Sequence, residues 1–308
     1  MTVSLNNLIY PYFVTPKKIT KAKIKLFPGV YRFSINALIK DIKEINALGI
    51  NKVLLFGVPD YKDNSGITAY QEDNIVAKAT KRIKAEFPNL VVLTDVCLCA
   101  YTNHGHCGIL KRGKKDIDNN ATLQVLSKIA LSHAQAGADW VAPSAMAKGQ
   151  VLAIRKALDK YGFNKTKILG YSAKFDSSFY GPFRQAANST PAFGDRSAYQ
   201  LDYRDTQKAL KKIKEDINSG SDMVMVKPAL SYLDIIHQAK QKFKFPLAAY
   251  NVSGEYALVK YGAKQKLWEE KSIVKEIINS IARAGADYII TYHAKDIAKW
   301  TKLENYSI

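Results

Sequence analysis

Cysteine is scarce in this chain: there are three in 308 residues, all between positions 97 and 107. An odd number confined to one short stretch excludes a disulfide framework and predicts a reducing compartment. No apolar run approaches the roughly 20 residues that a helix needs to cross a bilayer. The start, Met-Thr-Val-Ser-Leu-Asn-Asn, lacks the basic head and apolar stretch of a secretory signal. These absences predict a cytoplasmic protein with no membrane partner. Arginine is scarce too, supplying 8 of the 46 basic residues and leaving 38 lysines. A net charge of +19 would suit nucleic acid. The lysines, however, are spread over helix faces rather than massed in a stripe interleaved with aromatics. The densest run, Lys17, Lys18, Lys21, Lys23 and Lys25, reads as a solvated loop. No nucleic-acid partner is expected.

What the chain does contain is alternation. With 47% hydrophobic residues it can bury a sizeable core. Apolar, β-rich runs at 8–14, 52–57, 90–96, 140–142, 167–172, 223–226, 247–250 and 288–291 are candidate strands. Helix-period segments lie near 36–48, 73–87, 121–136, 151–161, 206–218, 232–243, 256–261 and 272–284. A small unit recurs at the joints: Leu48-Gly49-Ile50-Asn51, Ala136-Gly137-Ala138-Asp139, Ser219-Gly220-Ser221-Asp222 and Ala284-Gly285-Ala286-Asp287. Glycine supplies the left-handed helix stop, and the polar residue turns the chain into the next strand. Eight strands alternating with helices, without a composition break, predict a single (β/α)8 barrel domain over 1–308. A doubly wound open sheet is the other arrangement these patterns allow.

Cys97 and Cys99 are two apart, so on extended backbone their side chains share a face. Cys107 follows after a turn-forming Asn-His-Gly. Three converging thiolates suit zinc, with a fourth position left for water or substrate. In a barrel, chemistry gathers where the strands end. Those ends offer Asp60, Asp95, Ser144, Lys174, Lys227, Ser253 and Tyr292. Lys227 follows Met-Val-Met-Val and precedes proline, a context that buries its stem. Two ammonium groups close together repel, so at least one should titrate near neutrality and attack ketones. The long connection 175–205 reads as a lid loop. It holds Arg184, Arg196 and Arg204, whose guanidinium forks suit an anionic substrate.

Together these features resemble the 5-aminolevulinate dehydratase (porphobilinogen synthase) family over essentially the whole length. The resemblance rests on Leu54-Leu-Phe-Gly57, Asp95-Val-Cys-Leu-Cys to Gly108, Val141-Ala-Pro-Ser144, Tyr171-Ser-Ala-Lys-Phe to Arg184, Pro191-Ala-Phe-Gly-Asp-Arg196, Met223-Val-Met-Val-Lys-Pro228, Tyr232-Leu-Asp-Ile235 and Val252-Ser-Gly-Glu-Tyr256. It implies a hydro-lyase that condenses two 5-aminolevulinate molecules to porphobilinogen on the way to haem and other tetrapyrroles. By that likeness Lys227 holds the first substrate as a Schiff base, with Ser253 and Tyr292 on its carboxylate. Lys174 binds the second, whose carboxylate meets Arg184, Arg196 and Gln200. Cys97, Cys99 and Cys107 ligate zinc, with Asp95 and Ser144 hydrogen-bonding beside it.

The departures are specific. Ala145-Met-Ala-Lys-Gly-Gln150 replaces an acidic, Met-rich stretch that usually carries Asp, Gly and Arg. Ala100 replaces a proline, and Ala229 and Ser231 replace the glycine and proline that commonly follow the Schiff-base lysine. Some members carry a magnesium-binding glutamate where this chain has Lys212, so no regulatory magnesium is expected. Only Met1 to Asn7 precede the first strand, where the family has a longer arm that supports octamers. The expected assembly is therefore a smaller homo-oligomer, a dimer or hexamer.

Overall fold

Eight parallel strands close on themselves in the computed structural model, which describes residues 3–17 and 21–304. Met1, Thr2 and Lys18, used above, lie outside the described residues. In chain order the elements are β1 (Leu8–Val14), β2 (Lys21–Lys23), β3 (Tyr31–Phe33), α1 (Ile35–Ala47), β4 (Lys52–Gly57), α2 (Ile75–Glu86), β5 (Val91–Val96), β6 (Ile109–Leu110) and β7 (Ile117–Asp118). Next come α3 (Asn119–Gln135), β8 (Trp140–Pro143), α4 (Gln150–Lys160), β9 (Lys167–Lys174), α5 (Gly181–Ala186), α6 (Thr206–Asn218), β10 (Met223–Lys227) and α7 (Leu233–Phe243). The chain finishes with β11 (Leu247–Asn251), α8 (Ser253–Lys264), α9 (Glu270–Ala284), β12 (Tyr288–Thr291) and α10 (Ala294–Glu304). The barrel order is β1-β4-β5-β8-β9-β10-β11-β12, and β12 returns to β1 through Leu8↔Ile289 and Ile9↔Ile290. β2 and β3 extend the sheet at one edge, and β6 pairs with β7 in a separate hairpin.

The strands are buried on both faces, and period two still sorts their side chains. Met223, Met225 and Lys227 on β10 face the barrel interior, while Val224 and Val226 pack outward against the helices. On β11, Ala248 and Tyr250 go in, while Leu247 and Ala249 go out. Phe13 on β1 stacks on Phe56 of β4 at 5.5 Å between centroids and lies parallel to Tyr292 at 6.3 Å. The upper interior is thus lined by aromatic rings. Side-chain caps fix several helix starts: Asn74, Asp118 and Asp205 each accept a backbone N–H three residues on.

The recurring joints have a definite job. Gly137, Gly220 and Gly285 take positive φ of 92°, 93° and 120°, which residues with a side chain rarely adopt. The aspartate two residues later then reaches across to the neighbouring strand. Asp139 accepts from Val92 N, Asp222 from Ile168 N and Asp287 from Leu247 N, each at 2.8 Å. Lys84 and Lys240 pair with Asp139 and Asp287 at 3.1 and 2.6 Å. Asn51, the uncharged member of the series, bonds Asn6 instead.

Candidate active site

The site forms where β5, β8, β9 and β10 end. Lys227 and Lys174 are direct register partners across β10 and β9. Both are buried, at 4% and 5% exposure. Lys174 donates from Nζ to the Ser144 carbonyl at 2.6 Å, which ties the end of β9 to the segment after β8. Lys227 ends among rings: Tyr250 lies 4.3 Å from its nitrogen, with Tyr171 and Phe183 at 5.1 Å and Tyr180 at 5.2 Å. Such ring faces favour an ammonium. Burial removes several kcal/mol of hydration from an ion. That loss, together with the Lys174 charge, lowers Lys227 to about 7. An amine held there is largely available as a nucleophile at neutral pH.

Asp95 precedes the cysteine loop at the end of β5, level with Ala142 on β8. Burial raises its carboxyl to about 6, against the opposing influence of the Ser144 hydroxyl and the two lysines. Its Oδ1 has no hydrogen-bond partner among the described residues. Cys97, Cys99 and Cys107 place their sulfurs within 4.8 Å of one another, with Cys97 and Cys99 at 3.5 Å. Hydrogen bonds from Cys97 and Cys99, aided by Arg196 and Lys174, hold Cys107 well below the ordinary thiol range. Those same contacts push Cys97 and Cys99 up. One thiol is thus held toward its ionised form beside two held toward their protonated forms, a three-sulfur donor set that fits a soft or borderline divalent metal.

Residues 175–205 fold over this mouth. Phe175 bridges to Leu201, and Tyr180 on the short turn before α5 reaches the carbonyls of Phe175 and Lys227 at 2.8 and 3.2 Å. Arg196 donates through Nη2 to Gly105 O and Ser189 O at 3.0 and 2.5 Å, while its Nε has no partner. Burial opposes its charge, but the neighbouring thiolates hold it protonated. Gly105 is required at this contact: a Cβ there would lie 2.3 Å from the Thr190 carbonyl. Gln200 is buried with neither amide atom partnered, and Arg184 on α5 has an unpartnered Nε. Ser253 accepts from Phe183 N and donates to Phe179 O, both at 3.1 Å. The Tyr292 hydroxyl meets that of Tyr250 at 3.0 Å. A cavity of about 960 Å³ opens beside Cys107 and Gln200, with Lys148, Lys208 and Lys211 on its walls. Asp116, Asp195 and Glu215 offset part of that charge, and neither Lys174 nor Lys227 lines this cavity.

A family model described as delta-aminolevulinic acid dehydratase matches residues 1–300. The chain belongs to that family. It is 52% identical over 298 residues to the delta-aminolevulinic acid dehydratase of Methanothermus sociabilis, covering 97% of this chain and 92% of the relative. It is 49% identical over 295 residues to that of Bacillus subtilis, covering 96% and 90%. Among solved structures, the Toxoplasma gondii delta-aminolevulinic acid dehydratase, in complex with porphobilinogen, superposes with a TM-score of 0.95 at 41% identity. That match covers 97% of this chain and 85% of the other.

Not every residue singled out at the strand ends of this delta-aminolevulinic acid dehydratase family member reaches the centre. Arg204 is turned outward, its side chain 75% exposed and paired with Asp202 at 2.7 Å. Asp60 is exposed on the loop after β4. The stretch 145–150, which lacks charged partners, is held by a neutral one. The buried Gln150 amide donates to Pro143 O at 2.9 Å and accepts from Ala147 N at 3.2 Å. Sequence reasoning passed over the ring box of Tyr171, Tyr180, Phe183 and Tyr250. It also missed His106, whose ring meets Tyr199 Oη at 3.2 Å and Phe193 O at 3.0 Å and so clasps the cysteine loop to residues 193–199. The signal for Tyr250 was present: it shares the inward parity of Ala248 on β11.

Proposed function

We infer that this protein condenses two molecules of 5-aminolevulinate into porphobilinogen, with loss of two waters, using zinc held by Cys97, Cys99 and Cys107. The observation that carries the reading is the register pair Lys227 and Lys174, two buried amines at one barrel mouth, one of them brought to about 7 beside a thiol triad. The neutral Lys227 amine adds to the ketone carbon of the first substrate. A C–N bond forms, the carbonyl π bond breaks, and the oxygen takes up the two protons that the amine nitrogen gives up and departs as water, leaving an imine. Its protonated form withdraws electrons and acidifies the adjacent carbon for C–C bond formation. Lys174 engages the second molecule. In this reading Ser253 and Tyr292 hold the first carboxylate, Arg184, Arg196 and Gln200 hold the second, and Asp95 and Ser144 hydrogen-bond the reacting oxygens. When bound, zinc supplies a Lewis acid that polarises a carbonyl and lowers the pKa of water. Residues 175–205 act as a lid that keeps imines from bulk water.

No regulatory magnesium enters this reading, because at Lys212 an ammonium already pairs with Asp216. A homo-oligomer, a dimer or hexamer, does belong to it. Exposed Leu258, Tyr261, Leu267 and Trp268 on α8 and the turn after it offer apolar surface to a second copy.

The direct test is pyrrole formation from 5-aminolevulinate by purified protein, before and after chelation and zinc add-back. Activity that disappears and returns with zinc supports reaction, substrate and metal together; absence of product with zinc present refutes the reading. A finer prediction concerns Arg196. Arg196→Lys keeps the charge but loses the planar fork that grips a carboxylate with two bonds. The substrate concentration needed for half-saturation is expected to rise about tenfold, the equivalent of one charged hydrogen bond at roughly 1.5 kcal/mol. An unchanged value assigns the carboxylate elsewhere.

A further inference from the structure

Strand β9 gains a residue on its neighbour just below the two lysines. Its register with β10 runs Leu169↔Met223 and Gly170↔Val224, then Ala173↔Val226 and Lys174↔Lys227. Between those pairs β10 advances two residues and β9 three, so Tyr171 and Ser172 share a bulge. Bulges are rare in parallel pairs and are found next to active sites, where they re-aim side chains. Strict alternation would send Tyr171 and Lys174 to opposite faces of the sheet. The extra residue brings both inward: Tyr171 joins the interior cluster with Leu169, while Ala173 and Phe175 pack outside. The Tyr171 ring consequently lies 5.1 Å from the Lys227 nitrogen and 5.9 Å from that of Lys174.

A packing role would account for the ring but not for the oxygen. Tyr171 is fully buried, and its hydroxyl has no hydrogen-bond partner among the described residues. The other inward tyrosines beside Lys227 do have partners: Tyr180 bonds to Phe175 O and Lys227 O, and Tyr250 to Tyr292. A buried hydroxyl left without a partner costs roughly 1–3 kcal/mol, a cost that a bound group can relieve. Asp95 Oδ1, an acceptor with no partner, belongs to the same mouth. One buried donor and one buried acceptor at an amine nucleophile match a group that both accepts and donates. The hydroxyl of a carbinolamine is such a group, and the ketone oxygen before it satisfies only the donor. Burial also holds the phenol well above its ordinary range, so it remains a donor at working pH.

We propose that Tyr171 is a catalytic residue of the imine-forming step, donating a hydrogen bond from its hydroxyl to the ketone oxygen of the substrate on Lys227 as it becomes the carbinolamine oxygen. The phenol keeps its proton throughout. The nitrogen of Lys227 forms the C–N bond as the carbonyl π bond breaks, the oxygen gains one proton from that nitrogen to become the carbinolamine hydroxyl, and it leaves as water with the nitrogen's second proton as the C–O bond breaks and the C=N bond forms. The proposal rests on the Schiff-base role of Lys227 in the proposed function.

The test is rapid mixing of 5-aminolevulinate with wild-type protein and with Tyr171→Phe, a borohydride quench, and mass measurement of the Lys227 peptide. Tyr171→Phe keeps the ring and removes one oxygen. Adduct formation is expected to slow about 10- to 100-fold, at or below the loss seen when one preorganised donor to a developing oxyanion is removed. The half-saturating substrate concentration and the acidic limb of the pH profile are expected to stay in place. Trapping at the wild-type rate overturns the proposal. So does a slowed rate accompanied by a displaced acidic limb, which would mean that Tyr171 acts through the surroundings of Lys227. If Tyr171→Phe does not fold, fluorotyrosine placed at position 171 keeps shape and donor but strengthens the acid; a changed trapping rate supports the proposal and an identical one overturns it. If wild-type protein itself forms no adduct at Lys227, the reading beneath the proposal fails and the proposal falls with it.

Discussion

Lys227→Met is expected to abolish pyrrole formation, a loss on the order of 10³-fold or more, as when a nucleophile is removed from an otherwise intact site. Methionine keeps the stem that fills the space among Tyr171, Tyr180, Phe183 and Tyr250, so the barrel should fold and melt much as before. Borohydride trapping of 5-aminolevulinate at this position should vanish with it. Turnover within tenfold of wild type would remove Lys227 from its role. The same residue sets a pH signature. Its amine titrates near 7, chiefly through burial and then through the Lys174 charge. Below that point the protonated form dominates, and trapping should fall by about tenfold per pH unit. Lys174→Met removes the repelling charge, so the limb for trapping at Lys227 should move to higher pH. A limb that stays in place would show that Lys174 is not felt there.

Cys99→Ala should abolish stoichiometric zinc and most activity together. The triad offers three sulfurs within 4.8 Å, and alanine leaves two, too few for a structural or catalytic zinc site. Even the loss of a supporting partner beyond the ligands costs about 10- to 100-fold in affinity or rate, so loss of a ligand should exceed that. Metal content by mass spectrometry, read beside activity and circular dichroism, separates a lost site from a lost fold. Unchanged zinc in a folded variant would place the metal elsewhere. Adding excess zinc to the wild type after chelation should restore activity, while the variant should remain inactive.

The eight barrel strands were legible because each is a buried run rich in apolar residues, and four of them, β4, β8, β10 and β12, are entered through a glycine joint. The strands ending at Val14, Gly57, Val96 and Thr291 finish where hydrophobicity does. β8, β9, β10 and β11 run further, into Pro143, Lys174, Lys227 and Asn251, because polar side chains at a barrel mouth are as buried as the apolar ones behind them. α8 begins at Ser253, three residues before its apolar period, since Glu255 there accepts from Val252 N and Leu230 N rather than facing water. The sequence reading gave no account of α10. The two lysines and three cysteines were visible by residue type and position. Arg204 was misread because an arginine in the right loop carries no mark of which way it points, and Asp202 two residues away takes its charge. Tyr171 was invisible as a site residue for a related reason: its inward aim depends on a bulge, and nothing in Tyr-Ser-Ala-Lys announces an extra residue.

The aspartates at the joints give the barrel two ends with separate duties. Asp139, Asp222 and Asp287 clasp neighbouring strands where those strands begin, a full strand length from Lys174 and Lys227 where they finish. Rigidity is thus supplied from below, and the mouth above is free to keep groups that folding alone would not choose: a pair of repelling amines, unpartnered hydroxyl and carboxylate oxygens, three clustered thiols. Drift among residues around the mouth, such as the stretch at 145–150, can then proceed without loosening the closure, and a change at the base can alter how long the enzyme lasts without altering what it makes.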